Sequence, residues 1–129
     1  MQKNVPESKK AAILVDAKPN FCWENAANLM FKKDDSSASY VEGVVMSSSI
    51  GTPQEHAWNV FNDEIVDPTL PEYDLRYFPA HQWRRDEFIK LYFKYKTRPF
   101  FRNAEFKVEA VQVEMDRARE KADAAFPRS

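Results

Sequence analysis

The sequence contains little cysteine, little glycine and no excess of charge of either sign. Its one cysteine, Cys22, has no partner within the chain, so no internal disulfide can form. We therefore expect a reducing compartment and a cytoplasmic protein. Two glycines are too few to build a phosphate-binding loop. Nineteen basic and twenty acidic residues give a net charge of −1, which provides no field to attract nucleic acid or an anionic membrane.

Long hydrophobic runs are also missing. The longest, 11–15, ends at Asp16 and is far shorter than the roughly 20 residues that span a bilayer. A run this short fits either a strand or a buried helix turn. The chain is nevertheless 43% hydrophobic and 14% aromatic, which is enough for a packed core in a chain of 129 residues. We expect a single domain over 1–129, with the polar residues 1–10 forming a mobile tail or a short first turn.

The periodicity of the remaining chain predicts an α+β fold, in which a small antiparallel sheet is packed by an N-terminal helix carrying the cysteine and by C-terminal helices. Three- and four-residue spacing of apolar side chains indicates helices, and β-branched and aromatic clusters indicate strands. The predicted elements are a helix over 22–33, strands over 39–46, 56–61 and 64–67, a covering loop after Thr69, a helix over 82–96, a break at Arg98-Pro99 and a long helix over 103–125.

Cys22 lies where a turn signal, Pro19-Asn20, gives way to the first helical pattern. Asn20 is a candidate N-cap, and Glu24 lies in the first turn, where a negative charge suits the helix dipole. A cysteine at a helix N-terminus is favoured in its thiolate form, which is the nucleophilic form. The common alternative is that a lone cysteine is a small buried hydrophobic residue.

A hairpin further along the chain brings a histidine and an aspartate together. If Asn62-Asp63 is a two-residue turn, Trp58 lies opposite Asp67, and His56 is a diagonal neighbour of Asp67 on the same face. A register shift of one residue would move Asp67 to the other face. The even register therefore predicts that His56 and Asp67 interact.

Cys22, His56 and Asp67 together supply the three roles of a thiol catalytic triad. The thiolate attacks, the imidazole takes and returns a proton, and the carboxylate orients the imidazole. Each residue alone is more often structural. The same three residues are also metal-ligand types, but they lack the close paired spacing of structural zinc sites, so we predict neither a metal nor a cofactor.

Four segments resemble the core of the transglutaminase-like and papain-like thiol enzymes. They are Cys22-Trp23-Glu24-Asn25-Ala26, Tyr40-Val41-Glu42-Gly43, His56-Ala57-Trp58 and Val66-Asp67-Pro68-Thr69. The resemblance covers roughly residues 20–69. It implies that a cysteine heads a helix packed on an antiparallel sheet, with Cys22 as nucleophile, His56 as general base and acid, and Asp67 as the orienting group. The interval from Cys22 to His56 is short for a papain-like peptidase, which favours the compact transglutaminase-like arrangement.

Three further residues are candidates for the oxyanion hole and the pocket. The Asn20 amide, beside the backbone N–H of Cys22, is placed to meet developing negative charge, if it is not simply a helix cap. Trp58 is expected to wall the site, whereas Trp23 is assigned to the core. Glu42 either lines the pocket or makes a surface ion pair, the latter being slightly favoured.

These observations predict a thiol-dependent acyl-transfer enzyme, a cysteine peptidase or amidohydrolase that forms an acyl-cysteine intermediate on a peptide, protein or small amide substrate. The alternative is a non-catalytic binding protein that keeps the scaffold. Apolar positions at alternating four- and three-residue spacing form a seam along the last helix, over 104–125. This seam predicts either docking on the chain's own helix 82–96 or contact with a second copy or a partner helix.

Overall fold

The structure is a computed structural model that describes residues 1–49, 51–95 and 109–126, with the side chains of the last segment from Val113. These residues form four helices and one four-stranded antiparallel sheet, which confirms the α+β prediction. The elements are α1 (Val5–Leu14), α2 (Cys22–Lys32), β1 (Ser39–Met46), β2 (Gln54–Phe61), β3 (Glu64–Val66), β4 (Arg76–Arg84), α3 (Arg85–Tyr95) and α4 (Glu109–Ala125). No helix among the described residues is long and apolar enough to cross a membrane. The predicted break at Arg98-Pro99 and helical residues 103–108 lie outside the described residues.

The sheet has the order β3-β2-β1-β4, and its two faces are covered differently. Alternate residues of β1 point to opposite faces. Tyr40 and Val44 belong to apolar clusters built with all four helices, whereas Val41 and Val45 belong to a cluster with Trp58 on the other face. The helices therefore pack on one face of the sheet, and all eight residues of β1 are buried.

The β2–β3 hairpin has the predicted register. Phe61 pairs with Glu64 and Val60 with Ile65, leaving Asn62 and Asp63 as a two-residue turn. Both turn residues have positive φ angles, 50° and 62°. Positive φ at both central positions is the mark of a type I′ turn, whose twist matches that of the strands. Asn and Asp tolerate this region better than other non-glycine residues, so the turn forms without glycine.

The chain after Thr69 is not only a covering loop, as predicted, because Arg76–Arg84 forms β4. The helix predicted from residue 82 begins instead at Arg85. β4 pairs with β1 at the edge of the sheet, with a bulge between Glu42 and Gly43. An edge strand with a bulge tolerates Pro79, which removes one hydrogen-bond donor. The pairing depends on a strand more than thirty residues away, so local pattern alone did not reveal it.

Of the two predictions for residues 1–10, a mobile tail or a short first turn, the structure agrees with the second, because α1 begins at Val5. The side chain of Asn4 caps α1 by accepting a hydrogen bond from the Glu7 N–H. Just before the helix, Lys3 forms a parallel bridge with Ile65 at the edge of β3. Two backbone hydrogen bonds of 2.8 Å, from Asn4 N–H to the Ile65 carbonyl and from Ile65 N–H to the Gln2 carbonyl, hold this segment. The apolar run after residue 10 supplies the last turn of α1.

The seam of α4 docks on the sheet rather than on α3. Met115, Ala118 and Ala122 are buried against a cluster that includes Val44 and Phe78. For the seam positions from Met115 onward the prediction of docking on helix 82–96 is therefore wrong, since β1 and β4 provide the surface. Contact with a second copy or a partner helix stays a prediction for the earlier seam positions, whose side chains lie outside the described residues.

Gly43 is required by the close approach of its neighbours. A Cβ atom at this position would lie 2.8 Å from Trp58 Cη2 and would overlap the backbone carbonyl oxygen of Phe78. Because a strand backbone cannot move aside cheaply, we expect Gly43→Ala to lower the free energy of unfolding by about 3 kcal/mol. The matched control is Gly51→Ala, where nothing lies within 4 Å of the added atom and a change within about 0.5 kcal/mol is expected. Urea unfolding of both variants tests this, and equal stabilities would contradict it.

Candidate active site

Cys22 is the first residue of α2, as predicted, and is 7% exposed. Phe21 occupies the N-cap position and makes no side-chain capping bond, so the assignment of Asn20 as N-cap is wrong. Asn20 instead adopts a positive φ of 67° in the turn before the helix. Glu24 lies in the first turn, where it complements the helix dipole. The first backbone N–H groups of a helix have no intrahelical acceptor, and Cys22 is the first residue of this helix.

His56 and Asp67 are in direct contact. His56 Nε2 lies 2.8 Å from Asp67 Oδ2, and the two side chains are 5% and 0% exposed. Cys22 lines the same cleft as the imidazole and lies close enough to it to raise the His56 pKa. Because Asp67 bonds Nε2, the ring nitrogen open to the thiol is Nδ1. The structure therefore brings together the three residues of the predicted triad, in the order thiol, imidazole, carboxylate.

Asp67 is a fully buried carboxylate whose two oxygens are both satisfied. Oδ1 accepts hydrogen bonds of 3.1 Å from the N–H groups of Thr69 and Leu70. Oδ2 accepts from His56 and, at 2.7 Å, from the Tyr77 hydroxyl. Burial acts to raise the Asp67 pKa, but the charge and hydrogen bond of His56 and the other donors outweigh it, so the pKa is lowered from 3.8. Asp67 is thus ionised wherever the fold is intact near neutral pH.

The imidazole of His56 is held in its protonated form. Burial acts to lower its pKa, but the charge of Asp67, its hydrogen bond and the contact with Cys22 raise it from 6.5 to about 10. An imidazolium beside a thiol favours the thiolate, because each charge stabilises the other. At neutral pH the site therefore places a proton donor, the His56 imidazolium, in the same cleft as the sulfur.

The thiol and the imidazole open into a cleft of about 660 Å³. Its floor is Cys22 and His56, and its walls are largely apolar, with one cation, Lys18, and one anion, Glu55. The other lining residues are Ala12, Ala17, Pro19, Asn20, Trp23, Pro68, Thr69, Leu70, Pro71 and Tyr73. A partly apolar cleft of this size with few polar groups is typical of a small-molecule or peptide site.

A second cavity, of about 710 Å³, lies on the other face of the sheet and is lined by residues that include Val41, Trp58 and Tyr77. Although it is slightly larger, its lining includes neither Cys22 nor His56. It therefore offers no nucleophile and base together. The cleft above the thiol is the candidate active site.

Comparison of the chain with protein-family models, curated proteins and solved structures finds no match. The family resemblance carried by residues 20–69 therefore stays a prediction. Any assignment of chemistry depends on the geometry of the cleft itself. Among the described residues, no group of three His, Cys, Asp or Glu side chains is arranged to hold a metal ion.

Two predicted pocket residues lie elsewhere, and Trp23 lines the cleft while it also packs against the core. Trp58 stacks on the His56 ring with centroids 6.0 Å apart, but it lines the second cavity rather than the cleft. Trp23, assigned to the core, is half-buried and lines the cleft. Glu42 is fully buried and accepts a 2.7 Å hydrogen bond from the Tyr40 hydroxyl, so it neither lines the cleft nor makes a surface ion pair. Asn20 does line the cleft.

Sequence reasoning missed three residues that hold the site in place. Asn25, one turn after Cys22, bonds both backbone groups of Lys18 and the Thr69 hydroxyl, which ties the loop before Cys22 to the loop after Asp67. Ser8 of α1 accepts a 2.9 Å hydrogen bond from the Asp67 N–H. The third is Tyr77. Only Asn25 carried a sequence signal, since it belongs to the segment around the cysteine.

Proposed function

We propose that this chain is a thiol-dependent acyl-transfer enzyme that acts through an acyl-cysteine intermediate. The observation that carries the proposal is that Cys22 and His56 line one cleft, while His56 Nε2 lies 2.8 Å from Asp67 Oδ2. These are the three roles that thiol acyl transfer requires. The likeness to the transglutaminase-like and papain-like core supports the same proposal, since α2 starts at the cysteine and packs on an antiparallel sheet whose β2 and β2–β3 hairpin supply the other two residues.

In the first step, the Cys22 thiolate attacks the acyl carbonyl carbon of an amide or a related acyl compound and forms a carbon–sulfur bond. The His56 imidazolium donates its proton to the leaving nitrogen as the carbon–nitrogen bond breaks. Water or an amine then attacks the thioester, and neutral His56 accepts its proton. The carbon–sulfur bond breaks, which regenerates the thiolate beside the imidazolium. Asp67 keeps the imidazole oriented throughout and stays ionised.

The negative oxygen of the tetrahedral intermediate needs donors close to the sulfur. The backbone N–H of Cys22 is one, because the first amides of α2 have no acceptor within the helix. The Asn20 side-chain amide is the second in this proposal, since it lines the cleft next to the helix start. The substrate class is a peptide, a protein or a small amide, for which the apolar walls offer burial and the two charged residues, Lys18 and Glu55, offer orientation.

We expect p-nitrophenyl acetate to acetylate Cys22, with an early burst of p-nitrophenol followed by slow turnover as the thioester is hydrolysed. Intact-protein and peptide mass spectrometry would place the acetyl group on Cys22 and follow its loss. Cys22→Ala is the matched control and should show neither burst nor adduct at that peptide. Acetylation of Cys22 no faster than that of a free cysteine peptide would contradict the proposal and favour a non-catalytic binding protein.

A further inference from the structure

The carboxylate of the site has a second side-chain partner besides the histidine. The Tyr77 hydroxyl donates to Asp67 Oδ2 at 2.7 Å, and His56 Nε2 lies 2.8 Å from the same oxygen. One carboxylate oxygen is therefore shared between an imidazole and a phenol. The other oxygen is held by two backbone N–H groups, so the carboxylate is bonded on both sides.

The Tyr77 ring is held from several directions. It meets the Trp58 ring edge to face, with centroids 4.9 Å apart, and lies 6.5 Å from the His56 ring. On another side, the ammonium group of Lys3 lies 5.5 Å from the ring centroid. That ammonium is itself fixed by hydrogen bonds to the carbonyl oxygens of Leu70 and Tyr73. These contacts restrict rotation of the ring, so the hydroxyl stays within hydrogen-bond distance of Asp67.

The phenol comes from a part of the fold that neither the nucleophile nor the base occupies. Tyr77 belongs to β4, where it pairs with Val45, at the opposite edge of the sheet from β3. Burial and the charge of Asp67 raise the Tyr77 pKa well above its ordinary value of 10.0. The hydroxyl therefore remains a donor throughout the range in which a thiol–imidazole pair works.

We propose that Tyr77 is a positioning residue of the active site, which fixes Asp67 Oδ2 where it meets His56 Nε2 and limits how strongly the carboxylate holds the imidazolium. The inference rests on the proposed function. The O–H dipole points its positive end at Oδ2, so it stabilises the carboxylate and opposes the positive charge on the neighbouring ring. Removing the hydroxyl should make Asp67 easier to protonate and His56 harder to deprotonate.

The test is Tyr77→Phe, which removes the hydroxyl and keeps the ring. We expect the acid limb of Cys22 alkylation, followed from pH 3 to 7 with iodoacetamide, to move to higher pH by about one unit. The His56 titration, followed by the ring nitrogen resonances, should also move to higher pH. The chain has two histidines, so His81→Gln assigns the resonances.

The matched control is Tyr40→Phe. Tyr40 also donates a 2.7 Å hydrogen bond to a buried carboxylate, Glu42, but on the helix-covered face of the sheet. Tyr40→Phe should lower the free energy of unfolding without moving the acid limb of Cys22 alkylation or the His56 titration. A merely structural role for Tyr77 predicts that the two variants behave alike. If neither the acid limb of Cys22 alkylation nor the His56 titration moves in Tyr77→Phe, the inference is overturned. Cys22 would still be reactive, so the proposed function would stand.

Failure of the proposed function and failure of the Tyr77 inference can be told apart. If Cys22 proves unreactive in the unaltered protein, the proposed function fails, but the His56 titration still decides the role of Tyr77. If Tyr77→Phe does not fold, the unaltered protein provides the measurement, because the Tyr77 hydroxyl proton, hydrogen-bonded to Asp67, should be protected from exchange and its resonance should shift as His56 titrates. A hydroxyl proton that exchanges freely, or whose shift ignores His56, would count against the inference.

Discussion

At pH 5, iodoacetamide should modify Cys22 about 100 times faster in the unaltered protein than in the His56→Gln variant. An ordinary thiol is only about 0.03% thiolate at this pH, and an imidazolium beside a sulfur favours the thiolate, which is the form that reacts. Part of this gain is lost because less basic thiolates are weaker nucleophiles. The measurement is the second-order rate constant from pH 4 to 9, where the two proteins should converge as an ordinary thiol ionises.

Glutamine is preferred to alanine because its amide can donate to Asp67, so a buried carboxylate is not left without a partner. The matched control is His81→Gln, which alters the other histidine of the chain. It should react with iodoacetamide as fast as the unaltered protein. Equal rates at pH 5 for the unaltered protein and His56→Gln would show that the thiol gains nothing from the imidazole.

The site was more predictable from sequence than the fold around it, for a physical reason. The contact between His56 and Asp67 depends on the register of one hairpin, a local rule that the sequence displays. Cys22 is marked by a helix start, and the packing of α2 on β2 brings it to the same cleft. Asn62 and Asp63 adopt positive φ angles, which allows a two-residue turn and so fixes the pairing of β2 with β3. The chain needed no distant information to bring the imidazole and the carboxylate together.

The residues that were missed or misplaced all depend on distant pairing. β4 forms by pairing with the free edge of β1. The hydrogen bond from Tyr77 to Asp67 could not be predicted before that pairing was known. Glu42 and Trp58 were placed by strand alternation alone, which tells which residues share a face but not what covers each face. With the helices on the Glu42 face, the carboxylate is buried, and Trp58 lies behind the histidine instead of walling the cleft.

The largest change in stability is expected for Asp67→Asn, with a pH dependence that identifies the ion pair. Near pH 6 the variant should be about 3–5 kcal/mol less stable, because an imidazolium loses its buried partner and the amide must replace a carboxylate between two donors. Urea unfolding from pH 4 to 10 measures the difference. The exposed Asp63→Asn, in the hairpin turn, is the control and should change stability little at any pH.

The direction of the pH dependence follows from the two pKa values. His56 has a folded pKa of about 10 against 6.5 when free, so the folded state holds one proton more than the unfolded state between these values. Stability from this group is complete below pH 6.5 and falls by about 1.4 kcal/mol per unit as the pH rises towards 10. The lowered Asp67 pKa adds stability that is present above pH 3.8 and is lost as the pH falls below that value.

The difference between the unaltered protein and Asp67→Asn should therefore be greatest between pH 4 and 6.5 and should shrink towards pH 10. Titrations of groups that do not interact with Asp67 cancel between the two proteins. A difference that stays constant from pH 4 to 10 would mean that His56 is neutral beside Asp67.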